Sequence, residues 1–127
     1  IAYIYLCYGI HHLFNIVTNT EKHPHSILIR AIEPTKGIDK IIKRRQTKSN
    51  KYNLTNGPAK LSQALNININ DNECCLVKSK IWLEDRRISI SNSNIIETKR
   101  IGLEYAKEDS KKPWRFYIKN NPWVSVK

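Results

Sequence analysis

The sequence has 127 residues, 40% of them hydrophobic, which suffices for one core but not for two, so we expect one domain or part of one over residues 1–127. Its 22 Lys and Arg against 11 Asp and Glu give a formal net charge of +11 at pH 7, which favours a nucleic-acid partner. No apolar run has membrane-spanning length and no export signal is visible, so we expect a soluble cytoplasmic protein without a membrane partner, nucleoid-associated if bacterial.

The first predicted element is a β-hairpin. Residues 1–8 alternate with a period of two, which is typical of a strand and places Tyr3 and Tyr5 on one face and Tyr8 on the other. A glycine then breaks the pattern, and residues 12–18 resume it with β-branched and aromatic side chains. Tyr8 therefore lies at the predicted hairpin tip. The alternative is that these tyrosines are ordinary half-buried strand aromatics, which the pattern alone favours.

The second predicted element is a third strand over residues 27–32. Arg30 lies in its interior and shares a face with Leu28, whereas the other face is more apolar. A charge inside a strand favours a polar cavity or solvent on that side. A salt bridge to Glu33 is the alternative explanation.

Two helices and further strands follow. Residues 35–46 place three isoleucines at helical spacing among lysines and arginines, which predicts an amphipathic helix with a basic outer face. An N-G-P turn at residue 56 predicts a short second helix with proline in its first turn. Later strands are predicted at residues 81–83, 100–103 and 114–118. The fold class is therefore α+β: a curved, mostly antiparallel sheet, a protruding hairpin and flanking helices.

The cysteines and histidines form no recognisable metal pattern. Three cysteines, two of them adjacent, make neither a disulfide framework nor a zinc site. His11 and His12, like His23 and His25, lack a third ligand at zinc spacing. We expect free thiols, no metal and no cofactor.

The tyrosines suit one kind of chemistry on DNA. Enzymes that act on a base inside a duplex must extrude it, at a cost of a few kcal/mol, and fill the gap that it leaves. Tyr8 at the hairpin tip is placed to wedge into that gap, and Tyr5 to stack on the extruded base.

The N-G-P-A-K turn suits a DNA phosphate. Backbone N–H groups of Asn56 and Gly57 and the Lys60 ammonium are all donors at one helix start. The alternative is a plain helix start with a solvated lysine.

Six blocks in one order resemble the alkyladenine (3-methyladenine, methylpurine) DNA glycosylase family. They are Y-I-Y-L-C-Y-G, F-N-I-V, I-L-I-R-A-I-E-P, L-T-N-G-P-A-K-L, P-W-R-F-Y-I and P-W-V-S-V, and they extend over nearly the whole chain. The resemblance implies a monofunctional base-excision repair enzyme that flips an alkylated or deaminated purine from double-stranded DNA. It also implies hydrolysis of the N-glycosidic bond by water, without a cofactor.

The resemblance also implies roles for the hairpin and the third strand. Tyr8 is the intercalating residue, and Ile10 and His11 touch the minor groove. The base pocket is formed by three residues, Tyr5, Asn15 and Leu28, of which Asn15 disfavours normal guanine by crowding or mispairing with its exocyclic amino group.

The water-positioning groups implied by the resemblance are the Arg30 side chain and the Val124 backbone carbonyl. Lys60 and Gly57 are the phosphate contacts suggested by the turn. The family's general-base glutamate precedes the first tyrosine strand and has no counterpart here. We therefore expect the C-terminal portion of a glycosylase domain, inactive alone and monomeric when full length.

A second hypothesis is a non-catalytic RNA- or single-stranded-DNA-binding module. In it the basic helix and the tyrosine hairpin bind single strands without chemistry. Preference for a lesion-containing duplex over single strands distinguishes the two hypotheses.

Overall fold

The structure, a computed structural model, describes residues 1–7, 9–48, 50–102 and 104–126. It contains two antiparallel sheets, two α-helices and several 3-10 segments. The first sheet has the order β1 (Ala2–Cys7), β2 (His11–Thr18), β3 (His25–Leu28), and the second pairs β4 (Ile95–Thr98) with β5 (Arg115–Ile118). The helices are α1 (Ile38–Arg45) and α2 (Pro58–Ala64), and the 3-10 segments are Lys51–Asn53, Ile69–Asp71, Asn92–Asn94 and Glu104–Lys111. The predicted α+β class with antiparallel pairing is confirmed.

The predicted hairpin is confirmed by the pairing of β1 with β2. The register joins Tyr3 to Asn15 and ends with Cys7 opposite His11. The Ile10 amide donates to the Cys7 carbonyl at 3.3 Å across the turn. The turn needs a residue with positive φ, and Gly9 supplies it at 71°.

One face of the first sheet forms the main core. The alternation of β1 and β2 directs Ala2, Ile4 and Phe14 to the same side, where they are buried against Leu61 of α2. Ile67 and Leu76 complete this cluster. Fully burying a side chain such as Ile4 stabilises the fold by roughly 1.5–3 kcal/mol.

A second cluster fixes α1 against α2. It consists of Ile41, Leu54, Ala64 and Trp123. The last turn of α1 adds polar ties, because Arg44 Nη1 donates to the Ala64 carbonyl at 3.0 Å. Arg45 Nε donates to the Leu54 carbonyl, also at 3.0 Å. The prediction of a basic outer face on α1 is therefore only partly correct, because Arg44 and Arg45 donate hydrogen bonds to backbone carbonyls outside the helix.

The third strand is shorter than predicted, ending at Leu28, so Arg30 lies just beyond a strand. The Ile29 amide still donates to the Phe14 carbonyl at 3.0 Å. The backbone then leaves β2, because the Ile32 amide bonds the Thr55 carbonyl at 3.3 Å and the Thr55 hydroxyl donates to the Ile32 carbonyl at 2.7 Å. This tertiary pairing ends the strand.

The later strand predictions are partly wrong. Residues 114–118 do contain β5, but 81–83 and 100–102 are irregular, and Leu103 lies outside the described residues. The Leu83 amide donates to the Leu76 carbonyl at 2.8 Å, which holds that segment as a loop. The partner of β5 is instead Ile95–Thr98.

Segment 72–74 closes part of the outer edge of β1. The Ala2 amide donates to the Cys74 carbonyl at 3.0 Å, and the Glu73 amide donates back to the Ala2 carbonyl at 2.9 Å. The Ile4 amide donates to Asn72 Oδ1 at 2.8 Å. β1 therefore has hydrogen-bond partners on both sides.

Neither α-helix, nor any other helix in the part of the chain that the structure describes, is long and apolar enough to cross a membrane. Cys7, Cys74 and Cys75 are free thiols.

Candidate functional site

The side of the first sheet opposite the core carries all three predicted pocket residues. Residues directly opposite each other in antiparallel strands point to the same face. The register therefore aligns Tyr3, Asn15 and Leu28 in one row across β1, β2 and β3. Tyr5 and Leu13 form the adjacent row on the same face. We call these five residues the tyrosine face.

The two tyrosines of this face form an aromatic pair. Their ring centroids are 5.4 Å apart with an interplanar angle of 36°. Tyr3 is 45% exposed and Tyr5 is half-buried. A tilted aromatic pair that is partly open to solvent is a surface on which a flat base can stack.

Asn15 is the buried polar centre of the face, at 4% exposure. Its Nδ2 donates to the Tyr3 carbonyl at 3.2 Å and to the Leu13 carbonyl at 3.4 Å. A flipped amide would direct Oδ1 at both carbonyls, which is repulsive, so the contacts fix this orientation. No described residue donates a hydrogen bond to Oδ1. Asn15 therefore presents an acceptor, a detail that the sequence does not reveal.

Arg30 follows this face two residues after Leu28 and is half-buried. Burial, and secondarily the charge of Arg115, lowers the pKa of the Arg30 guanidinium below its ordinary value. Among the described residues, no carboxylate lies within 4.0 Å of Arg30, so the alternative salt bridge to Glu33 is absent. Glu33 is instead exposed.

Arg115 on β5 is a charged residue that sequence reasoning missed. It is only 7% exposed, and its guanidinium lies 4.6 Å from the centre of the Tyr117 ring. Nη2 donates to the Val126 carbonyl, whereas the buried Nε has no hydrogen-bond partner. The available signal was a cation inside an otherwise aromatic strand, W-R-F-Y-I.

Val124 lies in a segment anchored by its neighbour. Trp123 is buried, with its ring centroid 5.1 Å from that of Tyr52 at an interplanar angle of 80°. The Val124 amide donates to the Asn121 carbonyl at 3.2 Å. Within the described part of the chain, no hydrogen bond joins Val124 to Arg30. In this segment, it is the Val126 carbonyl that accepts a hydrogen bond from an arginine, Arg115.

The hairpin tip projects apolar and imidazole side chains. Ile10 is 71% exposed and His11 is also exposed. Tyr8, the predicted wedge, lies outside the described residues. The tip is thus accessible to a large partner at both described positions.

The N-G-P-A-K turn holds its lysine in place. Lys60 Nζ donates to Asn56 Oδ1 at 2.9 Å, and Asn56 Nδ2 donates to Asn53 Oδ1 at 3.2 Å. Gly57 precedes α2 in extended backbone, and its carbonyl accepts from the Leu61 amide at 2.8 Å. Lys60 is half-buried, so its ammonium is held by Asn56 and is also partly open to solvent.

Other candidate sites are weaker. No group of three His, Cys, Asp or Glu side chains among the described residues is arranged to hold a metal ion. Two open cavities of about 470 and 220 Å³ occur beside Trp82, which lines both. Neither is lined by residues of the tyrosine face.

Comparison with known proteins agrees with the sequence motifs. The pattern of the methylpurine-DNA glycosylase (MPG) family matches residues 1–122. A protein named 3-methyladenine DNA glycosylase from Chlamydia felis is 48% identical over 93% of this chain and 60% of its own length. One from Clostridium tetani is 43% identical over 99% of this chain and 65% of its own length. One from Alkaliphilus oremlandii is 42% identical over 99% of this chain and 65% of its own. The chain thus spans less than two thirds of these relatives, and it belongs to the methylpurine-DNA glycosylase family.

Proposed function

We propose that the protein acts in base-excision repair as a DNA glycosylase, flipping an alkylated or deaminated purine out of duplex DNA. The observation that carries the proposal is the tyrosine face. It places Asn15 and Leu28 in one row and Tyr5 in the adjacent row, and Arg30 comes two residues after Leu28 in the chain. The names of the relatives support a methylated purine as the substrate.

The hairpin tip supplies the flipping step. Tyr8 occupies the gap left by the extruded nucleotide, while Ile10 and His11 contact the minor groove. The exposure of Ile10 and His11 supports this role, because an apolar wedge must reach the base stack before it gains contacts there.

The tyrosine face binds the flipped base. Tyr5 stacks on it, and a cationic alkylated purine strengthens that contact through a cation–π attraction. Leu28 contributes apolar contact. Asn15, held by its two backbone contacts, meets the base edge, and it disfavours normal guanine by crowding the exocyclic amino group.

Arg30 and the Val124 carbonyl hold the attacking water. Hydrolysis also needs a general base, usually a carboxylate, next to that water. The described part of the chain places no carboxylate within 4.0 Å of Arg30. We therefore propose that the 127-residue chain by itself binds damaged DNA without cleaving the glycosidic bond.

The Lys60 turn makes a phosphate contact. Lys60 exchanges Asn56 Oδ1 for a phosphate oxygen, and the Gly57 amide is a second donor at the same place. A contact of this kind strengthens binding to every DNA sequence equally.

The test compares affinities of the 127-residue chain for three DNAs at one salt concentration, because salt alone changes such affinities strongly. They are a hypoxanthine-containing duplex, the matched undamaged duplex and the lesion single strand. We expect preference for the lesion duplex, and Tyr5→Ala should remove roughly 1–3 kcal/mol of that binding. Trp82→Ala, an exposed aromatic off the tyrosine face, is the control.

Equal affinity for damaged and undamaged duplex would contradict base flipping. Multiple-turnover release of hypoxanthine or 3-methyladenine by the same chain would contradict only the proposed inactivity. A preference for the single strand would favour the second candidate function, a stacking module for RNA or single-stranded DNA. The exposed Tyr3 beside Tyr5 and the net charge of +11 are the observations that support that candidate.

A further inference from the structure

The second sheet buries one of its faces and exposes the other. Side chains alternate along a strand, and residues directly opposite each other in antiparallel strands share a face. The register therefore puts four exposed residues together on one side: Ile95, Glu97, Phe116 and Ile118. We call these four residues the outer face. The residues between them, on the opposite side, are buried or half-buried.

The outer face is largely apolar and open. Phe116 is 59% exposed, Ile118 41% and Ile95 37%. Among the described residues, no aromatic ring and no cation lies against the Phe116 ring. Apolar side chains that are contiguous and open to solvent mark interaction sites. The flat ring of Phe116 is thus available for stacking.

The end of the sheet beside the outer face carries positive charge. Lys99 directly follows β4 and Trp114 directly precedes β5, and both are exposed. The Trp114 ring has Lys112 Nζ 4.5 Å and the Arg100 guanidinium carbon 5.2 Å from its centre. Lys112 also pairs with Asp109 at 2.9 Å, an exposed ion pair that contributes little to stability. Three cations therefore stand at one end of an aromatic, apolar surface.

This combination of charge and rings fits one class of partner. A second copy of the chain is disfavoured, because each copy carries a formal net charge of +11. Duplex DNA presents phosphates and base edges but keeps the faces of its bases stacked on one another. A single strand presents phosphates together with open base faces, which stack on exposed aromatic rings.

We propose that the outer face binds a single-stranded segment of DNA. An unpaired base stacks on Phe116, and the two isoleucines contact its neighbour. Lys99 contacts a phosphate, and Glu97 accepts a hydrogen bond from a base amino group. The outer face belongs to the second sheet, whereas the tyrosine face belongs to the first. The choice of DNA over RNA rests on the proposed function, but the binding of single strands does not.

The test measures affinities of the 127-residue chain at one salt concentration. The probes are a short DNA strand without self-complementarity, the duplex that it forms with its complement, and RNA of the same sequence. Phe116→Leu keeps an apolar side chain but removes the ring, so the fold should persist while affinity for the DNA strand falls roughly fivefold or more. Affinity for the duplex should stay unchanged.

Trp82→Leu is the matched control, because Trp82 is an aromatic residue of similar exposure, 55%, outside both sheets. The same comparison in a Tyr5→Ala background removes stacking on the tyrosine face. Phe116→Leu should still weaken binding of the DNA strand in that background.

Lys99→Gln tests the phosphate contact. Each phosphate that a single strand contributes adds about 0.7 to the slope of log affinity against log salt concentration. Lys99→Gln should therefore reduce that slope by about 0.7 for the DNA strand. Lys78→Gln, at an exposed position outside the second sheet, is the control. Should Phe116→Leu fail to fold, this measurement decides the question.

Equal losses in Phe116→Leu and Trp82→Leu, or equal losses for the strand and the duplex, would overturn the proposal. Tighter binding of RNA would overturn the choice of DNA, and self-association that Phe116→Leu abolishes would assign the face to a second copy. An unchanged slope in Lys99→Gln would contradict the phosphate contact. Undiminished strand binding in Phe116→Leu with a retained lesion-duplex preference refutes this inference alone. Weakened strand binding in Phe116→Leu, when the unsubstituted chain shows no lesion-duplex preference, refutes the proposed function alone.

Discussion

Asn15 has both amide hydrogens committed to backbone carbonyls, which makes the position sensitive to charge. In Asn15→Asp, carboxylate oxygens would face the Tyr3 and Leu13 carbonyls at distances that were 3.2 and 3.4 Å for the amide nitrogen. We expect a loss of about 1–3 kcal/mol in the free energy of unfolding at pH 7, measured by urea denaturation.

The loss should depend on pH with a defined sign. Burial beside carbonyl oxygens raises the folded-state pKa of the new carboxyl above its unfolded value of about 3.9. The protonated acid donates to a carbonyl, so stability should recover as the pH falls towards 4. Asn92→Asp, at an exposed position, is the control. A deficit that grows on acidification would contradict the orientation of Asn15.

Cys75 is the thiol that we expect to react first. Backbone N–H groups of Val77 and Lys78 lower the pKa of Cys75, and its side chain is exposed. Cys7 and Cys74 are partly buried. Because the thiolate is the nucleophile, Cys75 should be alkylated fastest by iodoacetamide near neutral pH, with a rate midpoint below that of a free cysteine.

Peptide mass spectrometry after brief labelling measures the three rates separately. Faster labelling of Cys7 or Cys74 in the folded chain would contradict the prediction. Labelling in urea is the control, because unfolding removes the differences in exposure and hydrogen bonding.

At the scale of elements, α1 is tied to its surroundings by the last residue of the helix. Arg45 donates through Nε to the Leu54 carbonyl at 3.0 Å and through Nη2 to the Asn53 carbonyl at 3.4 Å. Nη1 also donates to Gln63 Oε1 on α2. Arg45→Met keeps the apolar stem and the helix propensity but removes every one of these bonds.

We expect Arg45→Met to lower the free energy of unfolding by about 1–3 kcal/mol, because it leaves backbone carbonyls without their charged donor. Lys43→Met is the matched control, since Lys43 is an exposed cation on the same helix. Urea denaturation measures both variants. Equal losses of unfolding free energy in the two variants would mean that the hydrogen bonds of Arg45 contribute nothing beyond the effect of one positive charge on the helix.

The elements that sequence predicts well are those built from local contacts. The hairpin follows from the period of two and from Gly9, because β1 and β2 are neighbours in the chain. The end of β3 is different, since it depends on Thr55, a residue remote in sequence from Ile32. β4 was missed because its partner, β5, comes after a long intervening segment.

The candidate site also has one part that the sequence predicts and another that depends on contacts between distant residues. The shared face of Tyr5, Asn15 and Leu28 follows from strand register, and the motifs locate it in advance. Arg115 was missed because its side chain is held by the Val126 carbonyl, which lies outside β5 and is therefore a tertiary relation. Periodicity cannot supply such distances.

At the scale of the whole molecule, the net charge of +11 gives long-range attraction to DNA but does not identify the contacts. Arg44 and Arg45 bind backbone carbonyls, and Arg115 is buried. Counting cations therefore overstates the number available for phosphates. In the proposed function, the surface that discriminates a lesion is the nearly uncharged tyrosine face, and the remaining exposed lysines and arginines supply affinity for DNA that is independent of sequence.

The capped edge of β1 also bears on how copies of this chain meet in a crowded solution. An open strand edge invites another chain to add a strand, which is a common route to aggregation. The Asn72 amide oxygen and the Cys74 carbonyl occupy the outward N–H groups of Ile4 and Ala2. An incoming strand would have to displace them, so this apolar strand can present its aromatic rings without offering its backbone as a template for polymerisation.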